Sequence, residues 1–284
     1  MFKIISPQVN HLNNGIKSPS TLATLLVVLL APISADTQAQ DNKVNWILGG
    51  HIGNKTQELD QLLDSKLSFQ VANFTARAAY GDAYIAANLS QSLQDADVSE
   101  EGETGSASRS DADITVGWNV TPQFTVFGGY KTGETEIDFN VRENILEDAD
   151  EGVAASFTDS FEESGLFFGV GYGWSLGEAG QLGVSVAYAD MEADNELNAT
   201  TDEGDDAEED IDFDDLTGTF SGDVSGYSAA VQWSKSLGDN LVYQALIRFN
   251  QYEQNIDDTV QGVAVKFDVD ESFYEMSMGL LYVF

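Results

Sequence analysis

The sequence predicts an all-β protein: a closed antiparallel up-and-down transmembrane β-barrel of about ten strands, with eight or twelve strands as alternatives. Three observations support this fold class. Apolar and polar residues alternate with a period of two in about ten separate runs, as in strands whose two faces meet different surroundings. Brief turn sequences alternate along the chain with long connections. The four tryptophans all fall at the end of the predicted barrel that carries the brief turns.

The composition is strongly acidic and lacks cysteine. The 284-residue chain carries 12 Lys and Arg against 48 Asp and Glu, for a formal net charge of -36, and no Cys. Disulfides, Cys-ligated zinc and thiol catalysis are therefore excluded. Because clustered Lys and Arg are needed to neutralise nucleic-acid phosphates, the sequence also predicts no nucleic-acid partner.

Residues 1–39 have the organisation of a signal peptide. Lys3 and Lys17 precede an uncharged, largely apolar run over 21–33, which is too short to span a bilayer. Small residues follow this run, and cleavage is expected after Ala35 or Ala39. We therefore expect an exported protein in which residues 40–284 form the barrel, with long acidic extracellular loops.

Ten segments carry the strand alternation, as Val44, Trp46 and Leu48 do in the first of them. A strand is expected in each segment. The predicted strands are 44–54, 67–79, 83–94, 111–120, 124–137, 164–175, 181–191, 224–236, 241–253 and 271–284.

The second of these segments changes phase. Its apolar residues are odd-numbered up to Val71 and even-numbered from Phe74 onward. One extra residue in a strand would produce such a change, so the pattern predicts a β-bulge near Ala72 and Asn73.

The connections between the predicted strands are of two kinds. Four are brief turn sequences rich in Gly, Pro, Asp and Asn, and the five between them are long and hold most of the acid. An even number of strands with short turns at one end and long loops at the other is typical of transmembrane barrels. The long connections are predicted at 55–66, 95–110, 138–163, 192–223 and 254–270.

The tryptophans indicate which face meets lipid. All four lie on the apolar face at the short-turn end, as in the aromatic girdle at a membrane interface. The opposite face is mostly small and uncharged, which suits a crowded lumen better than a solvated exterior. A soluble barrel with tryptophans in its core is the alternative interpretation. The predicted girdle is Trp46, Trp118, Trp174 and Trp233.

The last predicted strand is an unbroken alternating apolar row from Tyr274 through Tyr282 to Phe284, and a glycine-aromatic run occurs at 127–130. In these features the sequence resembles the small Gram-negative outer-membrane β-barrels of the OmpA-like and opacity-protein-like group. The resemblance implies residence in the outer membrane among lipid and lipopolysaccharide. It also implies that the barrel-assembly machinery recognises the terminal strand through Tyr282 and Phe284.

The inward faces of the predicted strands carry a few charged residues. Buried charges require partners, so a structural ion-pair plug in a closed or very narrow lumen is expected. A constriction that selects small solutes is the alternative, and a catalytic site is the least favoured. The predicted lumen network consists of Arg77, Lys131, Arg248, Asp113, Glu275 and His51.

The acidic run near residue 205 is a candidate for weak binding of Ca²⁺ or Mg²⁺, since hard cations take clustered carboxylate oxygens. A solvated, self-repelling loop is the other interpretation. No confident metal site and no tightly bound cofactor are expected. The candidate residues are Asp205, Asp206, Glu208, Glu209, Asp210 and Asp212.

Enzymatic activity is not expected. Omptin proteases, which are ten-stranded outer-membrane barrels, use paired aspartates with an Asp-His pair, whereas Asp190 and Asp194 here have no histidine beside them and His51 lies on the first strand. The sequence therefore predicts a non-catalytic outer-membrane barrel that displays acidic loops for envelope integrity or surface interaction. A narrow channel for small cationic or neutral solutes is the alternative, and an outer-membrane hydrolase is a remote one.

Overall fold

The computed structural model describes residues 43–60, 66–100, 103–143, 153–202, 218–260 and 263–284. These residues form antiparallel strands and one 3-10 turn at Gly177–Ala179. None of the described helical structure is long and apolar enough to cross a membrane. The strands are β1 Asn45–Asp60, β2 Leu67–Tyr80, β3 Ala83–Ser92, β4 Ala96–Glu100, β5 Glu103–Asn119, β6 Phe124–Glu143, β7 Val153–Ser175, β8 Gln181–Asp202, β9 Gly218–Ser236, β10 Leu241–Val260 and β11 Val263–Val283.

The strands close into one barrel. Sequence neighbours pair antiparallel except β3 and β4, which both pair with β5, and β1 pairs with β11 from Ile47 opposite Val283 to Asp60 opposite Asp270. β3 and β4 follow one another along β5, so they occupy a single position and the wall has ten strand positions. The prediction of a closed, ten-stranded, up-and-down barrel is confirmed.

The strands are longer than predicted at one end of the barrel. We call this the loop end, and the opposite end, with connections such as Gly81 to Asp82, the turn end. β7 and β8 remain paired from Ser175 opposite Gln181 to Ala154 opposite Asp202. The predicted long loops at 138–163 and 192–223 are therefore partly strand, and so are those at 55–66, 95–110 and 254–270. Hydrogen bonding continues because each extended strand has an equally extended neighbour.

The predicted bulge near Ala72 and Asn73 is wrong. The register of β1 with β2 runs without interruption from Asn45 opposite Ala79 to Gln57 opposite Leu67. Odd-numbered residues of β2 face the lumen throughout, while Phe74 faces outward. The strand keeps its phase, and the apolar residues change from the inner face to the outer face instead.

This change of face divides the barrel into two halves. Toward the turn end the outer surface is an apolar band, which includes Ile52, Leu166 and Met278, and the lumen holds polar side chains together with aromatic ones. Toward the loop end the outer surface is acidic, and the lumen holds buried charged groups together with an apolar cluster. The lumen cluster of the loop half, which we call the apolar plug, consists of Leu59, Leu67, Phe69, Val71, Ala96, Val98, Ala107, Ile137, Phe161 and Val269.

Candidate functional site

The apolar band is bounded at each edge by a circle of aromatic residues around the barrel, and we call these circles the first and second aromatic rings. Trp46, Trp118 and Trp174 are exposed on the outer surface at the turn end, and Trp233 lies there with its indole N–H donating to the Ala179 carbonyl at 2.8 Å. The last strand closes at the same level, where the Phe284 amide donates to the Trp46 carbonyl at 2.9 Å. The second ring lies at the opposite edge of the band and includes Tyr130, Tyr188, Tyr227 and Tyr274.

The six residues of the predicted lumen network all face inward, but they form separate groups. Arg248 NH1 lies 3.3 Å from Glu275 Oε2, and Asn73 Nδ2 donates to Glu275 Oε1 at 2.8 Å. His51 is buried nearby on β1, and its Nε2 has no hydrogen-bond partner among the described residues. Arg248 and Glu275 therefore form an ion pair that neutralises charge in the polar half of the lumen.

The other three predicted residues have different partners. Asp113 accepts hydrogen bonds from Asn88 Nδ2 at 2.9 Å and from its neighbour Thr115 at 3.0 Å. The Arg77 guanidinium stacks 3.9 Å from the centroid of the Tyr84 ring near the turn end. Lys131 Nζ donates to Tyr252 Oη at 3.1 Å and belongs to a larger group nearer the loop end.

That larger group is the main charged feature of the lumen, and we call it the charge layer. Arg109 lies at its centre, donating from Nε and NH2 to Asp111 Oδ1 at 3.1 and 2.9 Å and from NH1 to Thr135 at 2.7 Å. Lys55 Nζ lies 2.5 Å from Asp111 Oδ2. The six charged members are Lys55, Arg109, Asp111, Lys131, Glu163 and Glu271.

Two buried glutamates complete the charge layer. Glu163 Oε2 lies 3.6 Å from Arg109 NH2 and 3.9 Å from Lys131 Nζ, while Glu271 Oε1 lies 3.9 Å from Arg109 NH1. Side-chain amides support both acids, since Gln57 donates to Glu271 at 2.6 Å and Gln254 donates to Glu163 at 3.2 Å. These contacts supply the pairing that charges in a low-dielectric interior require.

Five of the six charged members were not predicted from the sequence. Lys55, Arg109 and Glu163 lie in segments that were predicted as loops, where no facing direction was assigned. Asp111 and Glu271 were placed at the ends of predicted strands. Continuing the period of two from Asp113 along β5 would have identified Arg109 and Asp111 as inward, and the same step from Glu275 along β11 would have identified Glu271.

A small polar cavity lies between the charge layer and the turn end. Its volume is about 70 Å³, and its lining includes His51, Asn88, Asp113, Gln244 and Arg248. Gln244 Nε2 and Ser277 Oγ are buried without a hydrogen-bond partner among the described residues. A polar cavity of this size has room for several water molecules, which would satisfy these groups.

Aromatic rings fill the lumen below this cavity. The Tyr84 ring lies against the backbone of Gly117, where an added Cβ would fall 2.2 Å from Tyr84 Cζ. Phe127 lies in the same way against Gly169. Tyr84 and Phe127 belong to one buried cluster that also includes Phe167. The lumen is therefore packed on both sides of the cavity.

Several predicted features lie outside the described residues or away from the lumen. The signal peptide and the candidate cation loop from Asp205 to Asp212 fall in segments that the structure does not describe. Within the described ranges, no group of three or more Asp, Glu and His is arranged to hold a metal ion. Asp190 and Asp194 are exposed on the outer surface of β8, whereas His51 is buried in the lumen.

Comparisons with known proteins concern the fold. No family model and no curated protein matches the chain. Among solved structures, the chain is similar to the outer membrane protease OmpT from Escherichia coli, with a TM-score of 0.48, 14% identity, and coverage of 88% of this chain and 100% of that chain. It is also similar to the translocator domain of the autotransporter NalP from Neisseria meningitidis, with a TM-score of 0.43, 12% identity, and coverage of 88% and 90%.

A third similar structure is the toluene transporter TbuX from Ralstonia pickettii, with a TM-score of 0.39, 9% identity, and coverage of 93% of this chain and 95% of that chain. At such low identity the similarity concerns the fold alone and does not extend to activity.

Proposed function

We propose that the protein is an outer-membrane barrel with a sealed lumen, which serves the envelope through its outer surface and has no catalytic role. The observation that carries this proposal is the filling of the loop half. There the charge layer crosses the lumen, linking strands as far apart as β1 and β5 through Lys55 and Asp111, and the apolar plug lies beside it. A lumen filled at two successive levels leaves no continuous aqueous path.

The outer surface of the loop half supports a role in surface interaction or envelope integrity. Its exposed acids face one another across strands, with Glu162 opposite both Glu134 and Asp194. Like charges in such positions repel, so this surface favours cationic surroundings. We propose that loosely held Mg²⁺ or Ca²⁺ screens these acids and also bridges them to lipopolysaccharide phosphates. Export through a cleaved signal peptide and insertion by the barrel-assembly machinery belong to the same proposal.

A narrow channel for small cationic or neutral solutes is the second candidate. The polar cavity favours it, because a hydrated chamber inside a barrel is one part of a permeation path. The path would have to continue past Arg109 and through the apolar plug, where Phe69 and Leu67 are each 1% exposed. The sealed barrel is therefore preferred.

Single-channel recording in planar bilayers tests the proposal. We expect the purified protein to be silent, and a variant that opens the lumen on both sides of the cavity, Arg109→Ala with Phe69→Ala and Phe161→Ala on the loop side and Tyr84→Ala with Phe127→Ala on the turn side, to show stable unit conductance. The outward-facing Phe74→Ala is the matched control and should stay silent. Stable, salt-dependent conductance of the unaltered protein would overturn the sealed barrel in favour of the channel.

The hydrolase alternative depends on His51, the one histidine of the barrel segment. Its side chain is buried in the lumen, beneath the charge layer, where a substrate arriving from the loop end would not reach it. A His51→Ala variant is expected to retain any hydrolytic activity found in the purified protein. Loss of such an activity in this variant alone would support an enzyme.

A further inference from the structure

The charge layer contains an acid pair whose hydrogen bonding is incomplete. Glu163 and Glu271 are each 1% exposed, and their carboxyl groups lie against the same Arg109 guanidinium, 3.6 Å from NH2 and 3.9 Å from NH1 respectively. Glu163 Oε2 and Glu271 Oε2 are both buried without a donor among the described residues. Leaving two carboxylate oxygens unsatisfied in a dry interior costs several kcal/mol on general grounds.

We propose that Glu163 and Glu271 form a proton-binding site: at neutral pH they hold one proton between them, with Glu271 as the carboxylic acid and Glu163 as the carboxylate. A single proton placed between the two groups gives both oxygens a hydrogen-bond partner at once. The proton also removes the repulsion between two like charges in contact. The inference does not depend on whether the lumen conducts.

The surrounding charges explain which acid is ionised. Glu163 Oε2 lies near two cations, Arg109 at 3.6 Å and Lys131 at 3.9 Å, whereas among the described residues Glu271 lies within 4 Å of one cation, Arg109, at 3.9 Å. Gln57 donates its amide N–H to Glu271 Oε1, which leaves the other oxygen of Glu271 to carry the proton. Carboxylate character is thus favoured on Glu163 and acid character on Glu271.

The same cations disfavour a metal ion between the two acids. A cation bound there would lie close to Arg109 and Lys131, whose side chains already point at the pair. A water molecule donating to both oxygens is the remaining competitor, and it would leave both acids ionised. The protonation state therefore distinguishes the proposal from the bridging water.

Electrostatics agree with this assignment. Both acids lie on the loop side of the apolar band. On β11, Glu271 lies nearer the loop end than Tyr274, and on β7, Glu163 lies nearer the loop end than Leu166. Burial and the adjacent charge of Glu163 raise the pKa of Glu271 well above its usual value. Burial alone would also raise the pKa of Glu163, but the hydrogen bond from Glu271 and the charges of Lys131 and Arg109 hold it below its usual value.

The strands packed against the pair determine its electrostatic surroundings. On β8 and β9 the inward neighbours Met191, Ala193, Asn195 and Val224 are not titratable. The proton therefore lies among a fixed set of charges. Among the described residues, the charged and titratable groups that face the pair are Lys55, Arg109, Asp111, Lys131 and Tyr252, with Glu275 further toward the turn end and Asp159 further toward the loop end on β7.

The sign of the pH dependence follows from the two shifts. Glu271 binds its proton more tightly in the folded barrel, so this contribution to stability is present at low pH and is lost as the pH rises through its folded pKa. Glu163 contributes stability above its unfolded pKa, and this is lost as the pH falls through its folded pKa. The pair therefore stabilises the loop half most strongly at pH values between the folded pKa of Glu163 and the folded pKa of Glu271. Alkaline pH destabilises the loop half.

Infrared difference spectroscopy on the full chain in detergent at pH 7 tests the proposal, using the carbonyl stretch of protonated carboxylic acids. We expect Glu271→Gln and Glu163→Gln each to lose one protonated carboxyl per chain, and the exposed neighbour Glu162→Gln to lose none. An unchanged signal in Glu271→Gln would mean that both acids are ionised around a water, and the proposal would fail.

Folding of the variants supplies a second criterion. Gln at 271 mimics the protonated acid, because its amide can donate to Glu163, so Glu271→Gln is expected to fold and to resist alkaline unfolding better than the unaltered protein. Glu163→Gln moves the negative charge from Glu163 to Glu271, away from Lys131, and is expected to be the less stable of the two. If Glu271→Gln fails to fold, or if Glu163→Gln is the more stable, the proposal is contradicted.

Discussion

Phe69 and Phe74 lie five residues apart on the same strand and face opposite environments. The Phe69 ring is 1% exposed inside the apolar plug, while the Phe74 ring is 63% exposed on the outer surface. Between them the strand passes from a soluble arrangement, with an apolar interior, to a membrane arrangement, with an apolar exterior. The same reversal occurs on β11, where Val269 is buried in the plug and Met276 faces outward.

The pair Phe69 and Phe74 gives the first prediction. Phe69→Ala leaves a cavity in the plug and should lower the free energy of unfolding by about 3 to 5 kcal/mol, the usual range for buried Phe. Phe74→Ala should cost much less, because lipid or detergent fills the space. Urea unfolding in detergent micelles measures both. Equal costs would show that the two rings occupy equivalent surroundings.

Arg109 gives the second prediction, because three acids depend on it. Arg109→Met should lower the free energy of unfolding by about 3 to 5 kcal/mol, since it leaves buried carboxylates without their cation. The comparison is Lys66→Met, which breaks the exposed ion pair with Glu58 and should cost about 0 to 1 kcal/mol. A small effect at Arg109 would mean that water reaches the charge layer.

Gly117 gives the third prediction. Any side chain there would displace the Tyr84 ring from the barrel wall, so Gly117→Ala should cost about 1 to 3 kcal/mol, as overpacking of a core does. Gly50 faces outward, and its added Cβ would meet nothing nearer than the Asn73 carbonyl at 3.8 Å. Gly50→Ala is therefore the tolerated control. Heat-modifiable migration on a denaturing gel measures the difference. It is expected to be lost in Gly117→Ala and kept in Gly50→Ala.

Asp159 gives the fourth prediction, on pH. Its carboxyl lies on the inner face of β7 opposite Ile137 of the plug, and burial raises its pKa to about 7. The folded barrel holds this proton more tightly than the unfolded chain, so stability should fall as the pH rises from about 4 to 7. At pH 8 the cost should be on the order of 2 to 4 kcal/mol.

The matching variant is Asp159→Asn, which cannot ionise. It should be more stable than the unaltered protein at pH 8 and nearly equal to it at pH 4, as measured by urea unfolding at each pH. A variant equally destabilised at both values would indicate that the Asp159 carboxyl has a structural role that ionisation does not affect.

The half of the fold toward the turn end could be predicted from the sequence. There, apolar residues such as Leu166 and Met278 alternate with small or polar ones, and tryptophans lie at the turn end, so period and facing direction agree. The loop half was not predictable by the same rule. In β2 the apolar residues lie on the inner face at Phe69 and on the outer face at Phe74. A period of two shows that the faces alternate but does not show which face is the inner one.

The charge layer was missed for the same reason. Glu162 and Glu163 are neighbours of the same residue type, yet one is exposed on the outer surface and the other is buried beside Arg109. Composition cannot separate them, and only the register of β7 with its neighbours does. Residues nearer the turn end, such as Arg248 and Glu275, lay within clear alternation, so their inward direction could be predicted.

The central claim is that β2 and β11 reverse their apolar faces at the level of the second aromatic ring. Since the chain has no native cysteine, single cysteines on the outer face of β11 can carry spin labels without background. Labels at Met276, Met278 and Leu280 in lipid vesicles should collide with oxygen dissolved in the bilayer, while labels at Asp268 and Asp270 should collide with a water-soluble relaxing agent. Uniform exposure to water along these five positions, or burial of the first three, would contradict the account.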